Sequence, residues 1–537
     1  MLHLRLHASR AMWASLPFFL PIPYEVHSQP LRIQSIEIVR KNILDQSGQS
    51  STLISDLMNG LHALTSEDVI RRELLFAEGD VYDQNNVEES VRNLRYMGLF
   101  SDVSIQTDTL PGDYALIRVV TRERWSLRGA AMVSQEAGLR SGVFGISEDN
   151  VLGRGQKVSV YSNYSSWRNN PYGFQATIQE RRLFGSRWSS VLHYRNAEEF
   201  RLSSLHVERP FYSEDAEWAG GGAVASMRQR IWYDHANPDD ERSFRHTTTM
   251  RLWYTRSAGK DIKLRWGTAY HHVRTRALPQ FLTPSSNLDL VNASIGVMKR
   301  DYVQTSFIDR IGTVEYAPTG FAVSAIGGMN LSPSVEMKNL GFFRLGSRVG
   351  VRAWNDFVFY SDLSASTYTD FVNVRDAVIS WNTSLFQQLS GRHTAAGRLL
   401  VVNGISRSWP GYIVLGGLTG LRGYGPNDFT GTGSALLNLE HRFFPEVEVL
   451  YFQPGITVFF DSGITWREHD RIAGKRWYSA AGIGLRIANK RFLGSTIIRL
   501  DFAYNVMTHQ WSQIIFSSDQ VFRALGYVET DLPTRTE

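Results

Sequence analysis

From Arg124 onward the chain alternates apolar and polar side chains with period two, and no helical period interrupts it. Ile262, Leu264 and Trp266 alternate with Lys263, Arg265 and Gly267. Ile483, Leu485 and Ile487 alternate with Gly482, Gly484 and Arg486, and Ile498, Leu500, Phe502 and Tyr504 with Arg499, Asp501 and Ala503. Such strands carry one apolar and one polar face. A soluble sandwich would join the apolar faces across a core, whereas a membrane barrel turns them to lipid and lines its lumen with the polar set. About 400 residues of this pattern, with no second helical layer, is long for a sandwich. At roughly ten residues per membrane strand plus turns and long outer loops, it supports about sixteen antiparallel strands. Closing the sheet pairs every backbone group and leaves no edge. The expected fold is mainly β, a transmembrane β-barrel over residues 125–522 with a tail at 523–537.

Composition narrows the alternatives. No residue among 537 is cysteine, which excludes disulfides and Cys-based metal sites. Aromatics make up 12% of a chain whose mean hydropathy is −0.23. No apolar stretch of about 20 residues follows the N-terminus, so helical spans are not expected. Aromatics near strand ends (Trp167, Tyr172, Trp232, Tyr233, Trp253, Tyr254, Trp477 and Tyr478) suit interfacial girdles. The net charge of +5 is modest and its cations are scattered among acids, which argues against a nucleic-acid partner.

Residues 1–28 read as an export signal. Arg5 and Arg10 precede the apolar run AMWASLPFFLPIPY, and Val26-His27-Ser28 offers small residues for cleavage before Gln29. Residues 29–124 then form a small α+β module. LRIQSIEIVR alternates as a strand. Thr65 with Asp68 forms a capping-box pattern ahead of a first helix. A second helix, NNVEESVRNLRYMGLF, sets Val87, Val91, Leu94 and Met97 on one face and ends at Gly98. FSDVSIQTD and YALIRVVTRE follow as strands around Pro111-Gly112-Asp113. The stretch NILDQSGQSSTLISDLMNGLHAL reads as an insertion between the first strand and first helix.

This module, on Gly79, Tyr82, Leu94, Gly98, Phe100 and Val103, resembles a POTRA (polypeptide-transport-associated) domain. The rest resembles the BamA/TamA outer-membrane assembly family. GVFGISEDNVLGRGQKVSVYSNY is similar to that family's opening hairpin, with its Asn and Leu-Gly-x-Gly turn. GLTGLRGYG is similar to its loop-six motif, here Leu421, Arg422, Gly423 and Tyr424. LLNLEHRFFPE and ITVFFDSGITW resemble the two strands after that loop, and SAAGIGLRI and TIIRLDFAYNV the near-terminal ones. SQIIFSSDQVF resembles the C-terminal strand, which carries the assembly signal at its last residue, here Phe522.

Loop six raises one question that the residues themselves help to answer. GGLTGLRGYGPNDFTG fails the spacing of a P-loop and of GxGxxG, so its glycines are not a phosphate cradle. The resemblance implies that the loop folds back into the barrel and that its arginine meets acids on the inner wall. Parity points the same way. Asn438, Glu440 and Arg442 share one face, and Thr457, Phe459 and Asp461 another, so Glu440 and Asp461 are the expected lumen partners of Arg422.

The function expected from the resemblance is non-enzymatic insertion or translocation of polypeptides at the bacterial outer membrane, with the module in the periplasm. The partners implied are outer-membrane lipids, unfolded outer-membrane or exported polypeptides, and periplasmic or lipoprotein subunits. The alternative is a passive pore or surface-exposed structural barrel on the same scaffold. An enzyme is not expected: no GxSxG elbow occurs, and His271-His272 and the Asp234-His235…Asp239-Asp240-Glu241 cluster lack HExxH-type spacing. No metal and no cofactor is expected.

Overall fold

The computed structural model describes residues 30–43, 60 and 62–521, apart from 137–138, 167–170, 198–199, 231–243, 279–285, 307, 312–313, 333–339, 406–412, 426–427, 450–451, 473, 489–496 and 519. The export signal, most of the insertion, Phe522 and the tail lie outside the described residues.

The N-terminal module follows the order β1 (Arg32–Lys41), α1 (Glu67–Glu73), α2 (Gln84–Tyr96), β2 (Phe100–Leu110), β3 (Tyr114–Glu123). β3 lies in the middle of the sheet, parallel to β1 and antiparallel to β2. The helices cover one sheet face, where Val69, Ile70, Val87, Leu94 and Met97 pack on Ile33, Val103, Ile117 and Val119. Asp83 caps α2 by accepting from the Asn85 amide at 2.8 Å. The capping box expected at Thr65 does not form. Ser66 is the N-cap of α1 without a side-chain cap, and Thr65 instead gives its hydroxyl to Glu123 Oε2 at 3.1 Å. The buried Glu123 carboxylate collects the Thr65 amide and hydroxyl and sits 3.2 Å from His62, and leaving it unsatisfied would cost more than leaving a helix end to water.

Leu94 is fully buried. Leu94→Asp would place an unpaired charge in a small core, which costs several kcal/mol. Limited proteolysis of the full chain should then cleave the module and spare the barrel. Equal protection in both proteins would show that this face is not the core.

The remaining strands are β4 (Leu127–Glu136), β5 (Leu139–Glu148), β6 (Lys157–Ser165), β7 (Tyr172–Glu180), β8 (Ser189–Asn196), β9 (Phe200–Arg209) and β10 (Trp218–Arg230). Next come β11 (Phe244–Ala258), β12 (Lys263–Leu278), β13 (Ser286–Thr305), β14 (Glu315–Asn330), β15 (Gly341–Arg352), β16 (Phe357–Thr369), β17 (Val374–Ser390) and β18 (His393–Ile405). Short β19 (Ile413–Leu415) and β20 (Phe429–Gly431) precede β21 (Gly433–Phe443), β22 (Gln453–Trp466), β23 (Tyr478–Ala488), β24 (Ile497–Asn505) and β25 (Gln510–Ser518).

All but β19 and β20 close into one antiparallel barrel. It has twenty strands rather than about sixteen. Many connections are only a few residues long, such as Gly391-Arg392 between β17 and β18, so less chain is spent on loops than expected. Outward positions are apolar: Ile146, Ile178, Leu252, Ile295, Leu345 and Val458 are all at least 47% exposed, as lipid-facing side chains would be. Tyr172 and Tyr254 share that outward surface, but Trp253 falls on the inner face by alternation. Because β4 starts beside the module, the turns after β5, β7, β9, β13 and β21 lie at the module end. The connection between β18 and β21, loop six, lies at the far end.

Candidate functional site: an arginine clamp in the barrel lumen

Loop six starts as a short ladder, β19 on β20, and then folds inward. Gly417 N donates to Gly425 O at 2.8 Å and Leu421 N to Gly416 O at 2.9 Å, so the segment closes on itself. Gly420 and Gly423 have φ of 110° and 86°, left-handed values that glycine adopts without a Cβ clash. Leu421 and Tyr424 pack with Leu415, Leu436 and Ala480, which seats the loop on β21 and β23. Asn438 Nδ2 donates to Gly420 O at 2.8 Å and Asn505 Nδ2 to Gly423 O at 3.1 Å. The wall thus holds the backbone on both sides of Arg422.

The Arg422 side chain is 1% exposed. Its Nε donates to Asp461 Oδ2 at 2.7 Å and Nη2 to Asp461 Oδ1 at 2.9 Å, a bidentate fork. Nη1 donates to Glu440 Oε1 at 2.9 Å and to Asp501 Oδ2 at 3.2 Å. The guanidinium lies 3.5 Å from the centre of the Phe459 ring. The structure therefore brings Arg422, Glu440 and Asp461 together and adds a third acid. Asp501 shares the polar parity of Arg499 and Ala503, so alternation alone could have nominated it.

The acids are not equivalent. Glu440 Oε2 also accepts from Arg442 Nε at 2.9 Å, and Asp501 Oδ1 from Arg486 Nη1 at 2.5 Å. Arg499 Nε stands 3.4 Å from Asp501. Apart from Arg422, Asp461 accepts a side-chain hydrogen bond from neutral Asn438, at 2.7 Å. Of the three carboxylates, Asp461 depends most on the loop. Gly484, opposite Asp501, leaves the room this crowding needs, since a Cβ there would sit 2.1 Å from Asp501 Oδ1.

A second segment enters from the module end. In the turn between β13 and β14, Ile308 packs with Val358, Tyr360, Phe386 and Ala396, and Ile311 with Phe444, Ala488 and Ile497. Glu315 accepts from the amides of Ile308 and Asp309 at 3.0 and 2.9 Å. Ile308 O accepts from Arg442 Nη1 at 2.5 Å. Arg442 and Glu440 thus link this lumen floor to Arg422. The chain after β25 joins it: Gln520 Oε1 accepts from Arg486 Nε at 3.2 Å, and Val521 packs on the Ile308 cluster. The last described strand residue is Ser518, and Gln520 beyond it turns inward to the buried Arg486, while the expected terminal Phe522 lies outside the described residues.

The module is docked on the same end. Asn150 Nδ2 donates to Thr65 Oγ1 at 3.0 Å, and Ser66 N to Gly153 O at 2.9 Å, so the Leu-Gly-x-Gly turn is the socket for the start of α1. Glu73 pairs with Arg182 in the next turn, and Glu89 accepts from the Glu214 amide at 2.7 Å. Burial pushes the Glu89 carboxyl above its usual range, against the pull of that amide. Gly153 has φ of 73°, and a Cβ there would lie 2.3 Å from Leu64 O. Gly153→Ala should therefore loosen the dock, read as faster amide exchange at residues 62–66 with barrel exchange unchanged. Unaltered exchange at 62–66 would remove the turn from the interface.

His271 and His272 are adjacent strand residues on opposite faces of β12, and His272 Nδ1 lies 2.7 Å from Asp289. The Asp234–Glu241 cluster lies outside the described residues. Among the described residues no group of three or more His, Asp or Glu is placed to hold a metal.

The family model of the POTRA domain, described as a surface antigen variable number repeat, matches residues 58–122. Among curated proteins, the outer membrane protein assembly factor BamA of Neorickettsia risticii (strain Illinois) is 33% identical over 111 residues. The match takes in 19% of this chain and spans only 15% of that relative. Among solved structures, BamA from Haemophilus ducreyi lacking POTRA domains 1-3 aligns at 13% identity and a TM-score of 0.36, over 91% of this chain and 83% of that one. CdiB from Acinetobacter baumannii aligns at 12% and 0.42, over 91% and 74%. CdiB from Escherichia coli aligns at 12% and 0.44, over 91% and 75%. Likeness of this degree establishes no residue correspondence.

Proposed function

We propose that this chain, which belongs to the BamA/TamA-like family of outer-membrane assembly proteins, inserts or translocates polypeptides at the outer membrane without chemistry of its own. The observation that carries this reading is the Arg422 clamp beside a docked POTRA module. A passive pore needs an open lumen, and here one side is filled by loop six and by the β13–β14 turn. Buried ion pairs add little net stability but select one arrangement, as a barrel that must be both closed and openable requires. The module would sit in the periplasm and meet extended clients by strand addition. The barrel would meet lipid on its apolar outer face, and periplasmic or lipoprotein subunits would approach from the module side.

The test is depletion in the host followed by profiling of the outer-membrane proteome. Broad loss of barrels supports assembly, and loss of one exported product supports a dedicated exporter. An unchanged proteome sinks both and leaves the pore.

A further inference from the structure

The outer face of the barrel changes character toward the end remote from the module. On β8 to β11, Leu192, Leu205, Val224 and Met250 stand side by side in the strand register and are exposed. One outward row further on come Tyr194, Ser203, Ser226, Thr248 and Arg274. The next row is Arg201, Arg228, His246 and Arg276, each opposite the last on the adjoining strands β9 to β12, and all exposed. Arg201 Nε donates to Asn196 Oδ1 at 2.9 Å, Arg228 lies 3.6 Å from the centre of the Phe244 ring, and His246 shares a 3.1 Å hydrogen bond with Ser226. Among the described residues none of Arg201, Arg228, Arg274 and Arg276 is paired with a carboxylate. The acid described on this half of the outer face of β8 to β13 is Asp289, and it is taken by His272 Nδ1 and Tyr270 Oη, both at 2.7 Å. Glu198, Glu199 and the acids from Asp234 to Glu241, in the turns beyond, lie outside the described residues.

Like charges directly opposite on neighbouring strands repel, and Arg201 faces Arg228 in that way. An anion between them removes the repulsion. We propose that this row binds the phosphate-bearing headgroups of lipids in the leaflet remote from the module. The order of the rows selects a lipid over a soluble anion. Apolar, hydroxyl and cationic rows follow one another at about 6.6 Å, two strand residues apart. That is the order of acyl chain, polar linkage and phosphate in a membrane lipid. An acidic peptide has no acyl part to lie on Leu205 and Val224. Guanidinium forks take phosphate oxygens in pairs, and long arginine stems reach down to them across an interface. The site concerns the surrounding membrane and goes beyond the assembly reading, which does not require it.

The test uses the full chain in detergent with phosphatidic acid and phosphatidylcholine carrying the same fluorescent chain, followed by anisotropy. Phosphatidic acid is expected to bind about tenfold more tightly or better. R201Q with R228Q should abolish that preference and leave phosphatidylcholine binding as it was. R201K with R228K should keep most of it, since an ammonium also serves a phosphate. R256Q, at an exposed position toward the module end of β11, should change nothing. Neutralising Glu198, Glu199, Asp234, Asp239, Asp240 and Glu241 together should leave the preference at least as strong. Inorganic phosphate in large excess should not displace the lipid. Heat-modifiable migration of each variant guards against reading a lost barrel as a lost site.

Equal affinity for the two lipids, an unchanged preference in R201Q with R228Q, an equal loss in R256Q, or displacement by inorganic phosphate would overturn the proposal. So would a preference that appears only once the loop acids are neutralised, because those acids would then already satisfy the row. A loss in the lysine pair as complete as in the glutamine pair would trace the effect to packing on Phe244 rather than to charge, and would reject the site as well.

Discussion

Arg422→Ala should detach loop six from the lumen, make it cleavable by protease added outside, and raise ion conductance through the barrel. The clamp is almost fully buried, and removing one partner of a fully buried pair costs about 3–5 kcal/mol. The cost falls unevenly on the three acids. Asp461 loses both ends of its fork and keeps only neutral donors, Asn438 and the residue-422 amide, whereas Glu440 keeps Arg442 and Asp501 keeps Arg486. Asp461→Asn should therefore resemble Arg422→Ala, and Glu440→Gln should be milder. Because Arg422 and Asp461 meet directly, their double mutant should be far less damaged than the sum of the singles. Arg422→Lys should rescue only in part, since an ammonium cannot form the fork and reach Glu440 at once. The measurement is the rate of loop cleavage across that mutant cycle. Strict additivity of Arg422→Ala and Asp461→Asn would mean that the inward loop is not held by this pair.

Ile308→Cys offers a second large effect, because the chain has no other cysteine to react. Ile308 is 1% exposed, enclosed by Val358, Tyr360, Phe386 and Ala396, with its carbonyl taken by Arg442. A membrane-impermeant thiol reagent should leave this cysteine almost untouched. Adding Arg442→Met removes the charged donor, worth about 1.5–3 kcal/mol for a bond of this kind. The turn should then open more often, and labelling should speed by about ten- to a hundredfold. Arg422 still neutralises Glu440 in that variant, so loop six should stay protected from protease. Rapid labelling without Arg442→Met, or no acceleration with it, would exclude the lumen floor.

Alternation made much of this site readable. The Cβ of successive strand residues points to opposite faces, so the parity of Asn438, Glu440 and Arg442, of Asp461 and of Asp501 is a local property. Arg422 could be singled out because it is a lone cation in a glycine-rich, otherwise apolar loop. The α+β order of the module was equally local, written in a capped helix with one apolar face and two strands around a Pro-Gly-Asp turn.

Tertiary structure decided what depends on register and closure. Arg422 reaches Asp501 across 79 positions, and Arg442 reaches Ile308 across 134. No pattern within a strand reports such distances. The same holds for the number of strands, which follows from how tightly the turns close. It holds for Thr65, which faces Glu123 across the module instead of capping its helix. It holds also for the chain after Ser518, whose Gln520 turns inward because Arg486 is buried there and lacks enough carboxylate partners on its own wall. Side-chain direction follows from the local backbone, but the partner a buried charge finds is set by the closed barrel around it.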